Sequence, residues 1–247
     1  MNFFMSGHSK WHNIQGRKGK QDAARSNVFS KFSKKITIAA KMGGGDINAN
    51  FSLRLLVDKA KESGMPKDNI ERAVKRGTGE IEGEEVMETM YEAYGPAGVA
   101  IIVKALTDNK NRTTSDVKHI LNEHGGSMGG AGSVLWMFEQ CGLIIIPSTQ
   151  FTVHSVSRED VEMKMIEAGA DDIWEEEGLV YFKVKLESFK RAVEAVKAMK
   201  LEPERSGVEW VAKDKVKVNA GDEARLKRLF EQLEENEDVE DYYTNAE

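Results

Sequence analysis

The sequence predicts an α+β protein, with an N-terminal three-helix domain followed by two α/β sandwich (ferredoxin-like) domains, one inserted in the other. Three observations carry that prediction. Up to about residue 78, apolar residues recur at helical spacing and are interrupted by glycines. Beyond Gly79, short strand patterns alternate with capped helices. The strands also balance only in one way. Residues 80–125 supply two strands and a helix, too little to bury a sheet face, and the stretch from about Lys213 supplies two more strands and another helix. Joined, they make one sandwich, and the segment between them becomes an insertion.

The helices follow from local signals. From Asp22 to Met42 the residues Val28, Phe29, Phe32, Ile36, Ala39 and Ala40 form one apolar stripe, with Gly43 as the stop. At about 100° per residue, Lys31, Lys34, Lys35 and Lys41 fall on roughly the opposite side as a basic ridge. A second helix starts at Asn50 and runs through Leu53, Leu56, Val57 and Ala60 to Ser63-Gly64. A third begins at Pro66, places Asp68 and Glu71 near its start and Lys75 and Arg76 in its last turn, and stops at Gly77. The "ESGMPKDN" connection has the form of a helix-turn-helix turn, which is also common outside DNA-binding proteins.

The remaining elements are shorter. "MYEAYGPAGVAIIVKAL" predicts two strands around Gly95-Pro96, and "TTSDVKHILNEHGG" a helix with Val117, Ile120 and Leu121 inward. The five glycines between Gly125 and Gly132 predict a hinge. After it come a hairpin in "SVLWMFEQCGLIIIP", a helix from Ser157, a hairpin in "DDIWEEEGLVYFKV", a helix over 187–200 and a strand "GVEWVA". "KVKV" and the tail around Val239 give strands flanking a last helix. The domains expected are a basic arm at 1–20, a bundle at 21–78, a discontinuous domain at 79–132 and 213–247, and an inserted domain at 133–212.

Charge separates these parts. The protein carries a net −6, yet residues 1–76 hold 16 Lys and Arg against 6 Asp and Glu. A polyanion is drawn to that head and repelled by the rest, so nucleic acid is the expected partner and the first third its docking surface; a merely solvated basic face is the competing reading. The binding residues expected are Lys10, Trp11, Arg17, Lys18, Lys20 and Arg25 with the ridge lysines Lys31, Lys34, Lys35 and Lys41. Trp11, an aromatic among cations, suits stacking on an exposed base; anchoring the arm on another domain explains it equally.

Other chemistry finds little support. "GRKGK" at Gly16–Lys20 lacks the spacing and the Ser or Thr of a phosphate loop, and "GGSMGGAG" misses the dinucleotide spacing. His8 and His12 lack a third metal ligand nearby. Thr107, Asp108, Asn109 and Arg112 either gather around an anion, or carry catalysis, which is a third functional reading, or serve as ordinary turn and cap residues at a helix start, the reading preferred here. No catalytic residues, metal site or cofactor are therefore assigned, and an enzyme is not expected. The single Cys141 excludes an internal disulfide. No stretch approaches the roughly 18 apolar residues of a membrane span, and Met1–Met5 is too short for a signal peptide, so a cytoplasmic location and no membrane partner are expected.

The strings "GHSKWHNI", "RKGKQDAARS", "GGGD", "MPKDNIERAVKRGTG", "YEAYGPAGVAIIVKALTDNKNRT" and "HGGSMGGAGSVLWMFE" strongly resemble the YebC family of bacterial regulators, over nearly the whole chain. They are also close to its mitochondrial relatives, translational activators of cytochrome c oxidase. The resemblance implies a three-domain fold and two competing activities. One is DNA binding as a transcriptional regulatory protein. The alternative is a ribosome-associated translation factor, linked to stalling at proline-rich sequences, whose partner is the ribosome and its RNA. The chain departs from the family pattern at Met1–Phe4, which makes Met5 a possible start, and at "INANFS", where relatives often carry Pro.

Overall fold

A computed structural model describes residues 21–153 and 157–247, with side chains for 26–151 and 157–247. Among them are eight α-helices and two four-stranded sheets, the α+β class expected. The chain divides into two compact units, 21–134 with 218–242, and 135–217 with 243–247. The first unit holds the residues of the expected bundle together with most of those of the expected discontinuous domain.

The bundle is built from α1 (Gln21–Gly43), α2 (Phe51–Glu62) and α3 (Lys67–Thr78). Ile36 and Ala40 of α1 join Leu53, Val57 and Ala60 of α2 and Ile70 and Ala73 of α3 in its core, while Val28 stays 40% exposed. Asn50 caps α2 by accepting from Leu53 N at 3.1 Å, and its amide donates to Ala39 O and Gly44 O, both at 2.8 Å. The α1–α2 corner is thereby pinned. Gly77 does not end α3. The helix continues to Thr78, and Gly79, at φ 78°, supplies the left-handed cap. Gly77 serves packing instead, because a Cβ there would run into the Thr37 carbonyl and lie 2.7 Å from Ala40 Cβ.

The same unit holds β1 (Met87–Tyr94), β2 (Ala100–Thr107), α4 (Lys110–Glu123) and β3 (Ser127–Met128), and later α8 (Ala220–Glu235) and β8 (Val239–Thr244). Their sheet runs β3-β1-β2-β8, with β1 and β2 antiparallel from Met87↔Thr107 to Tyr94↔Ala100. Strand β2 is buried along almost its whole length, as a central strand must be. Leu226, Leu229, Phe230 and Leu233 of α8 are buried, and Phe230 stacks on Tyr242 with centroids 4.4 Å apart.

The expected hinge is tied down. The Glu92 carboxylate on β1 accepts Gly132 N at 2.6 Å and Val134 N at 2.7 Å, Gly129 N donates to Glu92 O at 2.8 Å, and Tyr94 OH donates to Ser133 O at 2.9 Å. The glycines here admit close approach: a Cβ on Gly126 would lie 2.7 Å from Tyr94 O.

In the other unit, β4 (Phe138–Pro147), α5 (Thr149–Val153), α6 (Arg158–Glu167), β5 (Ala170–Glu176), β6 (Leu179–Val184), α7 (Leu186–Ala198) and β7 (Arg205–Ala212) follow one another. The order β5-β6-β4-β7, all antiparallel, is the split βαβ arrangement of a ferredoxin-like sandwich. One sheet face carries the helices over Ile144, Ile146, Val180, Phe182 and Val184. The hairpin expected in "SVLWMFEQCGLIIIP" is instead a single strand. Gly142 lies in mid-ladder opposite Val184 and Val208, and its missing Cβ makes room for Phe189. The expected hairpin after it is present, turning at Glu177 (φ 49°) and Gly178 (φ 79°). The expected "KVKV" strand reduces to one bridge, Val216↔Ala246. Among the described residues no helix is long and apolar enough to cross a membrane.

These contacts lead to three expected outcomes. Gly77→Ala should lower stability by about 1–2 kcal/mol net of the ~1 kcal/mol of helix propensity it gains, because the α1–α3 crossing must open. Gly130→Ala, where a Cβ meets nothing within 4 Å, should leave the thermal melt unchanged. Glu92→Ala should speed limited proteolysis between Gly129 and Val134, since the carboxylate holding two backbone N–H groups is lost; an unchanged cleavage pattern would show that the loop does not depend on it.

Candidate nucleic-acid interface

The expected binding residues separate into three groups. Lys10, Trp11, Arg17, Lys18 and Lys20, with His8 and His12, lie outside the described residues, and Arg25 lies in α1 with its side chain outside them. Lys31, Lys34 and Lys35 are brought together, but on an internal seam. Lys41 sits near the end of α1, 53% exposed, in a surface ion pair with Glu85.

The seam joins α1 to the end of α8 and the start of β8. Lys31 Nζ donates to Glu234 O at 2.7 Å and Asn27 Nδ2 to Glu235 O at 2.5 Å, satisfying carbonyls at the C-terminal end of α8, where cations are favoured. Lys34 Nζ donates to Glu237 O at 2.9 Å and pairs with the Asp238 carboxylate. Lys35 reaches Glu240 at 3.4 Å, and Glu240 also meets Lys104 at 3.1 Å, which meets Glu88 at 3.2 Å.

Asp238 is the centre of this arrangement, with a side chain only 1% exposed. Arg112 holds both of its oxygens, at 3.1 and 3.0 Å. Thr113 Oγ1 lies 2.7 Å from Asp238 Oδ2 and 2.7 Å from Thr107 Oγ1. The carboxylate has no proton to give, so Thr113 donates to it and accepts from Thr107, which in turn accepts Asn109 N at 2.9 Å. Burial alone would raise the Asp238 carboxyl. Hydrogen bonds from Lys34, Thr113 and Arg112 outweigh it and hold the group below the usual carboxylate range. Burial pulls the Lys31 ammonium down to about 8, with Lys35 and Lys34 adding to the shift and Glu234 and Asp241 opposing it.

The loop from Thr107 to Arg112 therefore works as turn and cap. Asn109 caps α4 by accepting Arg112 N at 3.1 Å, and Arg112 bridges Asp108 and Asp238. Among the described residues no group of three or more His, Cys, Asp or Glu is placed to hold a metal ion. The Cys141 thiol is buried, and desolvation pushes it up to about 12, far from a reactive thiolate.

The outer faces of α2 and α3 carry the other cations of the head: Arg54, Lys59, Arg72 and Lys75 are exposed. Lys61 and Lys67 face Asp58 and Glu71 at 3.7 and 3.4 Å. Asp68 and Glu71 share the exposed face of α3, so that helix presents mixed charge where a DNA-reading helix presents donors to base edges.

Two family models cover most of the chain: "TACO1/YebC protein N-terminal domain" matches residues 9–80, and "TACO1/YebC second and third domain" matches residues 86–246. A "probable transcriptional regulatory protein" of Caldanaerobacter subterraneus subsp. tengcongensis is 42% identical over 98% of both chains. Another of that name, from Clostridium acetobutylicum, is 44% identical over 98% of this chain and 97% of its own. The crystal structure of a conserved hypothetical protein from Aquifex aeolicus superposes with a TM-score of 0.81 at 36% identity, covering 96% of each chain.

Lys34→Met should cost about 1.5–3 kcal/mol in urea unfolding, because a buried carboxylate loses a charged donor. The pH dependence has a defined sign. Asp238 titrates lower in the folded protein than its unfolded value of about 3.9, so its stabilisation is present above that value and is lost as the pH falls below it. Stability curves of the protein and of Asp238→Asn should differ at neutral pH and begin to draw together as the pH falls below about 4, meeting only once it has passed the lower value of the folded carboxyl; parallel curves throughout would contradict the depressed carboxyl.

Proposed function

Because the chain belongs to the TACO1/YebC family, we propose that it is a nucleic-acid-binding regulator of gene expression, meeting the phosphate backbone with its basic N-terminal third and acting on duplex DNA as a transcriptional regulator. One observation carries the reading: the charge is segregated, with the cations gathered in residues 1–76 of a protein whose net charge is −6. With Lys31, Lys34 and Lys35 engaged in the seam, the phosphate contacts fall to the exposed Arg54, Lys59, Arg72 and Lys75, to Lys41, and to the arm residues Lys10, Arg17, Lys18 and Lys20. Relatives named as probable transcriptional regulatory proteins agree with a binding role.

A second reading, binding to ribosomal RNA, is favoured by one feature of α2. Phe51 is 52% exposed and lies under the Arg54 guanidinium, a surface suited to unpaired bases, which duplex DNA keeps inside its stack.

Fluorescence anisotropy against a duplex DNA across a salt series tests the main reading. The logarithm of affinity should fall linearly with that of salt, and changing Arg54, Lys59, Arg72 and Lys75 together to Ala should flatten the slope by roughly 3. Salt-insensitive binding, or a slope unmoved by the four substitutions, would overturn this assignment of contacts. Migration of the native protein with ribosomes, released by an RNA-specific nuclease, would favour the second reading.

A further inference from the structure

We infer that β7 is a docking edge for an extended peptide segment of a partner protein, which adds to the sheet as a further strand and seats apolar side chains at alternate positions beside α7. The inference goes beyond the nucleic-acid reading and does not depend on it.

The two outer strands of the sheet β5-β6-β4-β7 are built differently. Strand β5 is blunted: its ladder is interrupted between Ala170 and Asp172, and "DDIWEE" fills it with carboxylates. Strand β7 has no such protection. Its eight residues contain no proline, its register with β4 runs unbroken from Phe138↔Ala212 to Ile145↔Arg205, and among the described residues no strand lies beyond it. Its two charges, Arg205 and Glu209, meet each other at 2.8 Å. An edge of this kind is a template for another strand.

The register shows which groups that edge offers. Lys213 N donates to Met137 O at 2.9 Å, one step beyond the Phe138↔Ala212 pair. In an antiparallel ladder, residues bonded to the neighbour alternate with residues directed away from it. Counting back by twos, Gly207, Glu209 and Val211 turn their backbone groups to β4, and Ser206, Val208, Trp210 and Ala212 turn theirs outward. None of these four is charged.

The same four residues carry their side chains on the helix-bearing face, since Val208 is the partner of Gly142, the position where Phe189 of α7 takes up the missing Cβ. On α7, Ser188 and Arg191 lie toward α6: Arg191 Nε donates to Ala168 O at 2.9 Å, and a Cβ on Gly169 would meet Ser188. At about 100° per residue, Leu186, Phe189 and Val193 fall on the other side, which therefore adjoins β7. The result is an apolar shelf. Val208 and Leu186 are each 46% exposed, with Trp210, Phe189 and Val193 half-buried around them.

The shelf selects its occupant. Lys190 on α7 and Glu204 just before β7 border it with opposite signs, and both are exposed, so it favours neither a polyanion nor a polycation. A second copy of the chain fits poorly, because two exposed apolar side chains fall far short of the roughly 800 Å² per partner of a stable association. A single peptide strand needs less. Main-chain hydrogen bonds supply its affinity, and alternate side chains its selectivity.

The test selects a phage-displayed library of linear random peptides on the full chain and follows the enriched sequences as synthetic peptides. Those sequences should place apolar residues at every second position. N-methylation of the peptide amides should show the same period, weakening binding about 10-fold or more on one alternate set and less than about 3-fold on the other. Hydrogen exchange at Val208 and Trp210 should slow in the complex, while Gly207 and Glu209, already bonded to β4, stay unchanged. Val208→Lys should weaken binding about 10-fold or more without moving the thermal melt, as expected at an exposed position. Val208→Pro, which removes an outward N–H but no bond to β4, should weaken it as much. A selection that enriches nothing, enriched peptides without the alternation, equal effects of N-methylation on both sets, or full affinity in Val208→Lys would each overturn the inference. So would a dimer of the unaltered protein in sedimentation that Val208→Lys dissolves, because the edge would then belong to a second copy.

Discussion

A single buried carboxylate fixes the first unit. Taking Asp238 out of water is costly unless its oxygens are met by strong donors, and here Lys34 arrives from α1 and Arg112 and Thr113 from α4. Its own backbone carbonyl meanwhile accepts Leu106 N of β2 at 2.8 Å. The helical bundle, the sheet and the chain entering β8 are thus bound to one another through one residue. Removing any donor leaves the rest of the cluster desolvated and incompletely paired, so the parts share a common dependence although their apolar cores are separate.

Helix α1 consequently has two working faces. One supplies Ile36 and Ala40 to the bundle, and the other supplies Lys31, Lys34 and Lys35 to the seam. A helical wheel separates those faces correctly but says nothing of what lies opposite the second, because the partners are some 200 residues away in "EENEDVED". The signal that was available is complementarity: a run of like charge within a folded chain that also contains a run of the opposite sign has an internal partner to consider before an external one.

Other features were legible for local reasons. Asn50 and Ser157 were recognisable as caps and the two tight hairpins by their turn residues, since those choices depend on backbone conformation within a few residues. The roles of Gly77, Gly142 and Glu92 were not, because each answers to a distant neighbour: the Thr37 carbonyl, the Phe189 ring and the N–H groups of Gly132 and Val134. A glycine in a sequence can answer to a left-handed backbone, as at Gly79, to a close approach, as at Gly77 and Gly142, or to neither, as at Gly130, and only the fold tells these apart.

Engaging three lysines internally changes how the basic head can work. A paired ammonium contributes little to the long-range field and releases no counterion when a polyanion approaches, so the electrostatic share of binding comes from fewer cations than the sequence contains. The contacts that remain are spread over exposed helix faces that also carry Asp68 and Glu71, which limits how closely a continuous phosphate track can follow them. On the proposed reading, electrostatics brings a nucleic acid to the head of the chain through those exposed cations, while the seam lysines serve the fold.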